Sequence, residues 1–244
     1  MKHSRTTIAV ASADGVFPAL TPAGEQTPAA LPASGPSLAQ LRTAGSSGQL
    51  KGTVLGFETI GDHGNLLVNY LRARKETFID RLQWQLPHAD GMEFDQYDTP
   101  QCRWVIVHEF GEILGGVRLL PTTAACGVYS YMLRDAQKGL LDSIPSDVLF
   151  LDAPVLPMVW EASRLFISEN VPAKRRHDVQ MLVMQLMART AAEAGARYVI
   201  GIVPWVFSRW LRRLGLAALP VGPRFTIDRT TSQAALFNVQ RYLD

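Results

Sequence analysis

The sequence predicts an α/β domain in which a mixed, twisted sheet is packed by helices. Three observations carry this. Period-two apolar alternation dominates the middle of the chain, over Gln101–Leu120. Stretches with helical spacing flank it, at Asn65–Gln85 and Asp178–Ala194. The chain then closes in a strand–helix–strand order, which suits a sheet covered on its faces.

Residues 1–55 are expected to form a disordered tail and residues 56–244 one folded domain. The first part is rich in Ala, Pro, Ser, Thr and Gly and cannot bury enough apolar surface to offset ordering entropy. Lys2 and Arg5 precede the apolar Thr6–Ala11, but Asp14 and Gly15 cut it too short for a signal peptide. Over Asn65–Gln85 the residues Leu67, Leu71, Phe78 and Leu82 repeat at helical spacing, and Pro87 limits the helix. Arg74 and Phe78, four apart, share one of its faces. Trp104, Ile106 and His108 alternate with Val105, Val107 and Glu109; Phe110-Gly111-Glu112 then turns into the run Ile113–Leu120, which reads as a β-hairpin. Pro157–Ile167 is extended, and Asp178–Ala194 turns Val179, Leu182, Val183 and Leu186 inward. Tyr198–Val203 is a short strand. Pro204 suits the first turn of a helix running through Leu214 and closed by Gly215, and Ala234–Val239 is a last strand.

Composition excludes several classes. At 244 residues and 47% hydrophobic, the chain can bury one sizeable core. A net charge of +2 gives no field strong enough to gather nucleic acid. No apolar run approaches the ~20 residues needed to cross a bilayer. Cys102 and Cys126 form neither a disulfide framework nor a metal motif, which points to a reducing compartment, the cytoplasm. His88, His108 and His177 lack ligand-like spacing, so no metal site is expected.

The most informative residues run from Arg74 to Arg164. They are Arg74, Phe78 and Trp84; Glu93-Phe94-Asp95-Gln96-Tyr97-Asp98; Gly115-Gly116-Val117-Arg118-Leu119-Leu120-Pro121-Thr122-Thr123; and Trp160-Glu161-Ala162-Ser163-Arg164. Taken singly, each charged residue reads as a surface ion pair. Together, at this spacing, they resemble the acyl-homoserine-lactone synthase (autoinducer synthase) family, and the resemblance spans Leu66 to about Gly215.

That resemblance implies a three-layer α/β/α sandwich similar to N-acetyltransferases. It implies a reaction between S-adenosylmethionine, as substrate, and a fatty-acyl thioester carried by acyl carrier protein, with acyl-coenzyme A as the other possible donor. No permanently bound cofactor is expected. The methionyl amine loses a proton and attacks the thioester carbonyl, which calls for a proton acceptor and donors for the oxyanion. The methionyl carboxylate then displaces methylthioadenosine and closes the lactone, a step that needs positioning more than acid. By resemblance Arg74, Phe78, Trp84, Asp95, Asp98 and Arg118 form the S-adenosylmethionine side. Phe78 and Trp84 are its walls and cation–π partners for the sulfonium. Asp95 and Asp98 pair with Arg74 or Arg118 in an order that the sequence leaves open.

Glu161 and Arg164 are the expected catalytic pair, Glu161 as proton acceptor. Residues three apart on a regular strand face opposite sides, so reaching one site requires a bulge or splay near Ala162–Ser163. No glycine lies between Arg164 and Ala194, so the phosphate-gripping loop of acetyltransferases is missing. The segment carries Lys174, Arg175 and Arg176 instead, and with Arg209, Arg212 and Arg213 these are the expected docking residues for an acidic carrier protein; each cluster reads equally as solvated surface. Met132, Phe150, Ile200, Ile202 and Trp205, with Leu149, Tyr198 and Phe207, are candidates for the acyl-chain pocket. The chain departs from the family at Ala124–Tyr131, which inserts residues, at Gln137, where an aromatic is usual, and at Leu216. Two other readings stay open: a related N-acyltransferase acting on another amine, and a noncatalytic module binding carrier protein or nucleic acid.

Overall fold

The computed structural model describes residues 50–207, 218–227 and 230–240. Its main sheet has seven strands: β1 (Lys51–Leu55), β4 (Arg103–Glu109), β5 (Glu112–Pro121), β6 (Val159–Ile167), β7 (Tyr198–Pro204), β9 (Thr230–Asn238) and β8 (Ala218–Ile227), in that spatial order. β2 (His88–Ala89) and β3 (Met92–Glu93) form a small separate ribbon. Every pairing in the main sheet is antiparallel except β6 with β7. A parallel pair needs a crossover, supplied here by α3 (Ala173–Glu193).

Helices cover both faces, giving the three-layer sandwich. On one side α3 buries Val179, Val183, Met184, Met187, Ala188 and Ala191 against Val105, Val107, Val117 and Val199. Each fully buried aliphatic side chain contributes about 1.5–3 kcal/mol, so this face is a large share of the stability. On the other side lie α1 (Leu66–Arg74), a π-helical turn (Lys75–Arg81) and α2 (Met132–Gln137). The ring of Tyr70 sits so close to β5 that a Cβ at Gly116 would come within 2.7 Å of it. That approach fixes α1 on the sheet and carries Arg74 into the interior.

Several sequence expectations change. Lys51–Leu55 is a sheet strand, so order begins inside the stretch assigned to the tail; residues 1–49 lie outside the described residues. The helix over Asn65–Gln85 is α-helical only to Arg74 and continues as a π-helix. Gln83, at φ 59°, ends it in the left-handed region, and Trp84 N–H bonds back to Phe78 O at 2.9 Å. This closure folds Trp84 onto Phe78. The last hairpin has an extra strand, β8, whose Pro220 and Pro223 an edge strand tolerates. After Pro204 a turn leads to Phe207, and the rest of the helix expected there lies outside the described residues.

The β6 strand is irregular in two places. Its pairing with β7 covers only Val159–Glu161, so the strands part beyond Glu161. Against β5 the register shifts: Arg118 pairs Ser163 and Gly116 pairs Phe166, which gives β6 one extra residue. Arg164 there has φ 56°, a strained value for a non-glycine residue. The splay falls where the sequence required it, and the bulge lies just beyond.

Candidate active site

The bulge turns Arg164 onto the α1 face, where three arginines and three carboxylates close a ring. Arg74 Nε meets Glu93 Oε2 at 2.5 Å, and its Nη atoms grip Asp98 at 2.7 and 3.0 Å. Arg118 Nη1 meets Asp98 Oδ2 at 2.9 Å, and its two Nη atoms hold Asp95 at 2.5 and 3.2 Å. Arg164 closes the circuit, Nη2 to Asp95 at 2.8 Å and Nε to Glu93 at 3.1 Å. Charge alternates all the way round. Ser163 Oγ accepts from Arg118 Nε at 3.1 Å, and Trp104 Nε1 donates to Asp98 at 2.9 Å.

The ring holds the Glu93–Asp98 segment, which has little regular structure of its own. Burial opposes ionisation of Asp98, yet Arg118 and Arg74 outweigh it and hold its carboxyl far below the usual carboxylate range. Asp95 is likewise lowered, with Arg118 and Arg164 overcoming burial. The Arg74 and Arg118 side chains are 0% exposed and Arg164 is 9% exposed. These six groups are therefore scaffold first, and Arg164 is the guanidinium nearest the surface.

Phe78 and Trp84 do meet, stacked at 5.0 Å between ring centroids. Phe78 is buried beneath Trp84, the Arg164 guanidinium at 5.8 Å and Phe166 at 5.8 Å. Phe78 lies beneath the ring of half-buried Trp84.

Glu161 lies on the same face, two residues before Ser163 and so about 7 Å along the strand from the ring's edge. It is wholly buried. Leu133 N–H donates to Oε1 at 2.8 Å and Met132 N–H to Oε2 at 3.0 Å, so the carboxylate caps the first turn of α2. Burial pushes its pKa up to about 7, and these N–H groups and the more distant Arg118 charge keep it from rising further. A carboxyl poised near neutrality suits proton transfer. Arg164 has gone to the ring instead of joining Glu161.

The other candidates are scattered. Ile200 is buried opposite Glu161 on β7, and half-buried Ile202 and Met132 pack against the same core. Phe150 is 65% exposed on a surface loop, so it does not line a core pocket. Trp205 is 37% exposed, with the Arg224 guanidinium 4.2 Å from its ring centroid. Arg175 is paired to Glu109 through both Nη atoms, at 2.9 and 3.0 Å, and Arg176 bonds the Val171 and Glu169 carbonyls. Of that cluster Lys174 is exposed. Arg209, Arg212 and Arg213 lie outside the described residues. Among the described residues no group of His, Cys, Asp or Glu side chains is arranged to hold a metal ion.

Sequence reasoning passed over Glu93 and Ser163 as site members, although both stand inside the quoted motifs. Gln137, at the family's aromatic position, clamps a loop: its amide donates to Leu151 O at 3.0 Å and accepts from Ala153 N–H at 2.8 Å.

Comparison with known proteins gives the family and the fold. Residues 62–242 match the autoinducer synthase family. An acyl-homoserine-lactone synthase of Ralstonia solanacearum is 37% identical over 155 residues, covering 62% of this chain and 71% of that protein. One from Acinetobacter nosocomialis is 29% identical over 193 residues, covering 76% and 98%. Among solved structures, TofI in a ternary complex with an inhibitor and MTA is 28% identical with a TM-score of 0.60, covering 78% of this chain and 91% of that one. The fold and these matches together make the chain a member of the autoinducer synthase family, an acyl-homoserine-lactone synthase.

Proposed function

We propose that Glu161 is the general base of the acyl transfer, that Trp84 and the arginine–carboxylate ring seat S-adenosylmethionine, and that the acyl donor is an acyl carrier protein in the cytoplasm. The observation that carries this is a buried carboxyl whose pKa is raised to about 7, one short step along β6 from a rigid charge ring whose Arg164 lies over the Phe78 ring.

Trp84 offers its ring to the sulfonium, an attraction worth about 0.5–2 kcal/mol. Arg164, the least buried arginine of the ring, faces the methionyl carboxylate. Glu161 takes a proton from the methionyl amine, the amine nitrogen bonds to the thioester carbonyl carbon, and the carrier thiol leaves. The methionyl carboxylate oxygen then displaces methylthioadenosine from the γ carbon. This second step needs no acid because the leaving sulfur becomes a neutral thioether.

The donor arm enters where β6 and β7 part, with Ile200, Ile202 and Met132 toward the acyl chain. The parting opens toward the end of β6 that leads into α3, so exposed Lys174 at the start of that helix is the first docking contact. Arg209, Arg212 and Arg213 are further docking residues. No helix among the described residues is long and apolar enough to cross a membrane, and both cysteines are free, which fits a reducing compartment.

The test is to incubate the purified chain with S-adenosylmethionine and carrier proteins bearing different acyl chains, then follow methylthioadenosine and acylated lactone by mass spectrometry. Both products are expected. Turnover with acyl-coenzyme A and none with carrier protein would overturn the donor assignment, and acyl transfer without methylthioadenosine would mean another amine is the acceptor.

A further inference from the structure

The segment that departs from the family pattern leads into the turn that holds Glu161. Cys126 and Tyr129 close a small bridge with reciprocal backbone bonds of 2.9 and 3.1 Å, around Gly127 at φ 61°. The chain then delivers Ser130 to Asp135: Ser130 N–H donates to Oδ2 at 2.9 Å and Ser130 Oγ to Oδ1 at 2.6 Å. These two residues bracket Tyr131–Leu133, the turn whose N–H groups hold the Glu161 carboxylate.

Asp135 is wholly buried, and its oxygens take these donors from Ser130. A buried carboxylate is costly, and a helix of six residues cannot hold its own shape. Asp135 has a second neighbour. Tyr97 is 2% exposed, its Oη meets no acceptor at full hydrogen-bond geometry, and the carboxylates acting on it are Asp135 and, farther off, Glu161. The Tyr97 ring lies 5.6 Å from the Arg118 guanidinium and edge-on to Tyr129 at 6.3 Å. Tyr97 thus joins the charge ring to the turn.

We propose that Asp135 is a positioning residue for Glu161: by clamping Ser130 and facing Tyr97, it fixes the Tyr131–Leu133 turn, so that two backbone N–H groups hold the carboxylate in the orientation that proton removal needs. This rests on Glu161 as the base. The inserted segment is then part of the reaction machinery as well as a departure in sequence. The charged and titratable groups acting on Glu161 are Arg118 on β5, Asp95 in the ring, and the phenols of Tyr97 and Tyr131.

Ser130→Ala and Asp135→Asn in the full chain test it, with Ser130→Thr as the conservative control. Loosening the turn withdraws donors that favour ionised Glu161, so the acid limb of the pH–rate profile moves up, by about half a pH unit in Ser130→Ala. The rate constant kcat falls about tenfold, less than the ~10²–10⁴-fold expected for losing the base itself, while KM for S-adenosylmethionine holds. Ser130→Thr restores both. Asp135→Asn also removes a charge, so the neutral Ser130→Ala variant decides the direction.

Amide hydrogen exchange at Met132 and Leu133 gives a readout independent of turnover, and faster exchange is expected in Ser130→Ala and Asp135→Asn. A lowered melting temperature with unchanged amide exchange and an unmoved acid limb would overturn the proposal. If exchange responds but Glu161→Gln keeps the wild-type rate, the clamp exists and the base assignment on which its catalytic role rests is the part that fails.

Discussion

Two buried carboxylate sites stand side by side on β6 and are built in opposite ways. Around Arg164, three acids meet three guanidiniums in a closed ring. Two residues before Ser163, ahead of the bulge, Glu161 takes its donors from two backbone N–H groups. Burial opposes ionisation in both places. In the ring Arg118 and Arg74 overcome it at Asp98; at Glu161 burial wins and the carboxyl rises to about 7. At these two sites the carboxylates in contact with a cation are scaffold, and the one without such a contact keeps a proton affinity suited to a reagent.

The strongest way to break this comparison is to take a cation out of the ring. Arg118→Met leaves Asp95 and Asp98 short of a partner and is expected to cost about 3–5 kcal/mol, read from urea denaturation. A cost below about 1 kcal/mol, the level of a surface pair, would mean the ring is no scaffold. Glu161→Gln removes the reagent instead. It should lower kcat by about 10²–10⁴-fold with S-adenosylmethionine binding unchanged in calorimetry. Loss of substrate binding in that variant would place Glu161 with the scaffold.

The two sites also respond to pH with opposite signs. The folded pKa of Glu161, about 7, lies above its unfolded value of about 4.3, so the native state binds the proton more tightly. Stability from this group is full below pH ~4.3 and is lost as pH rises to ~7, by about 3 kcal/mol in order of magnitude. Activity rises across the same window as the base ionises. Asp95 and Asp98 of the ring, depressed in the fold, give stability that is full above pH ~4 and lost only as pH falls below it. Melting curves should therefore show wild type losing ground to Glu161→Gln between pH 5 and pH 8. A difference that ignores pH would remove the contrast.

Smaller effects sharpen the picture. Trp84→Ala should weaken S-adenosylmethionine binding by about 2–30-fold, the range of a cation–π contact, and leave the acid limb where it is. Arg175→Ala breaks the pair with Glu109 and should leave the urea denaturation midpoint almost unchanged, because that pair is open to solvent screening.

Much of this was legible in the sequence, unevenly. The ring's arginines and aspartates stood in the motifs, but their pairing was not readable, because it joins residues 74, 93–98, 118 and 164 through tertiary packing. The three-residue spacing of Glu161 and Arg164 demanded an irregular strand, and β6 has one; the spacing could not say that the bulge would hand Arg164 to the ring. β1 was hidden because Lys51–Leu55 is short and adjoins a tail-like composition. β8 was hidden because Pro220, Gly222 and Pro223 read as a turn, though an edge strand accepts them. Ser130 and Asp135 gave no signal, since a clamp between loop and helix has no period.

The central claim is that Glu161 is a base whose ionisation is set by burial against two N–H groups. The most direct measurement is the ratio of wild-type to Glu161→Gln acyl-transfer rates as a function of pH, in which titration of the substrate amine cancels. The ratio should rise about tenfold per pH unit below 7 and level off above it. A ratio near one, or one that stays flat across pH 5–8, would contradict the account.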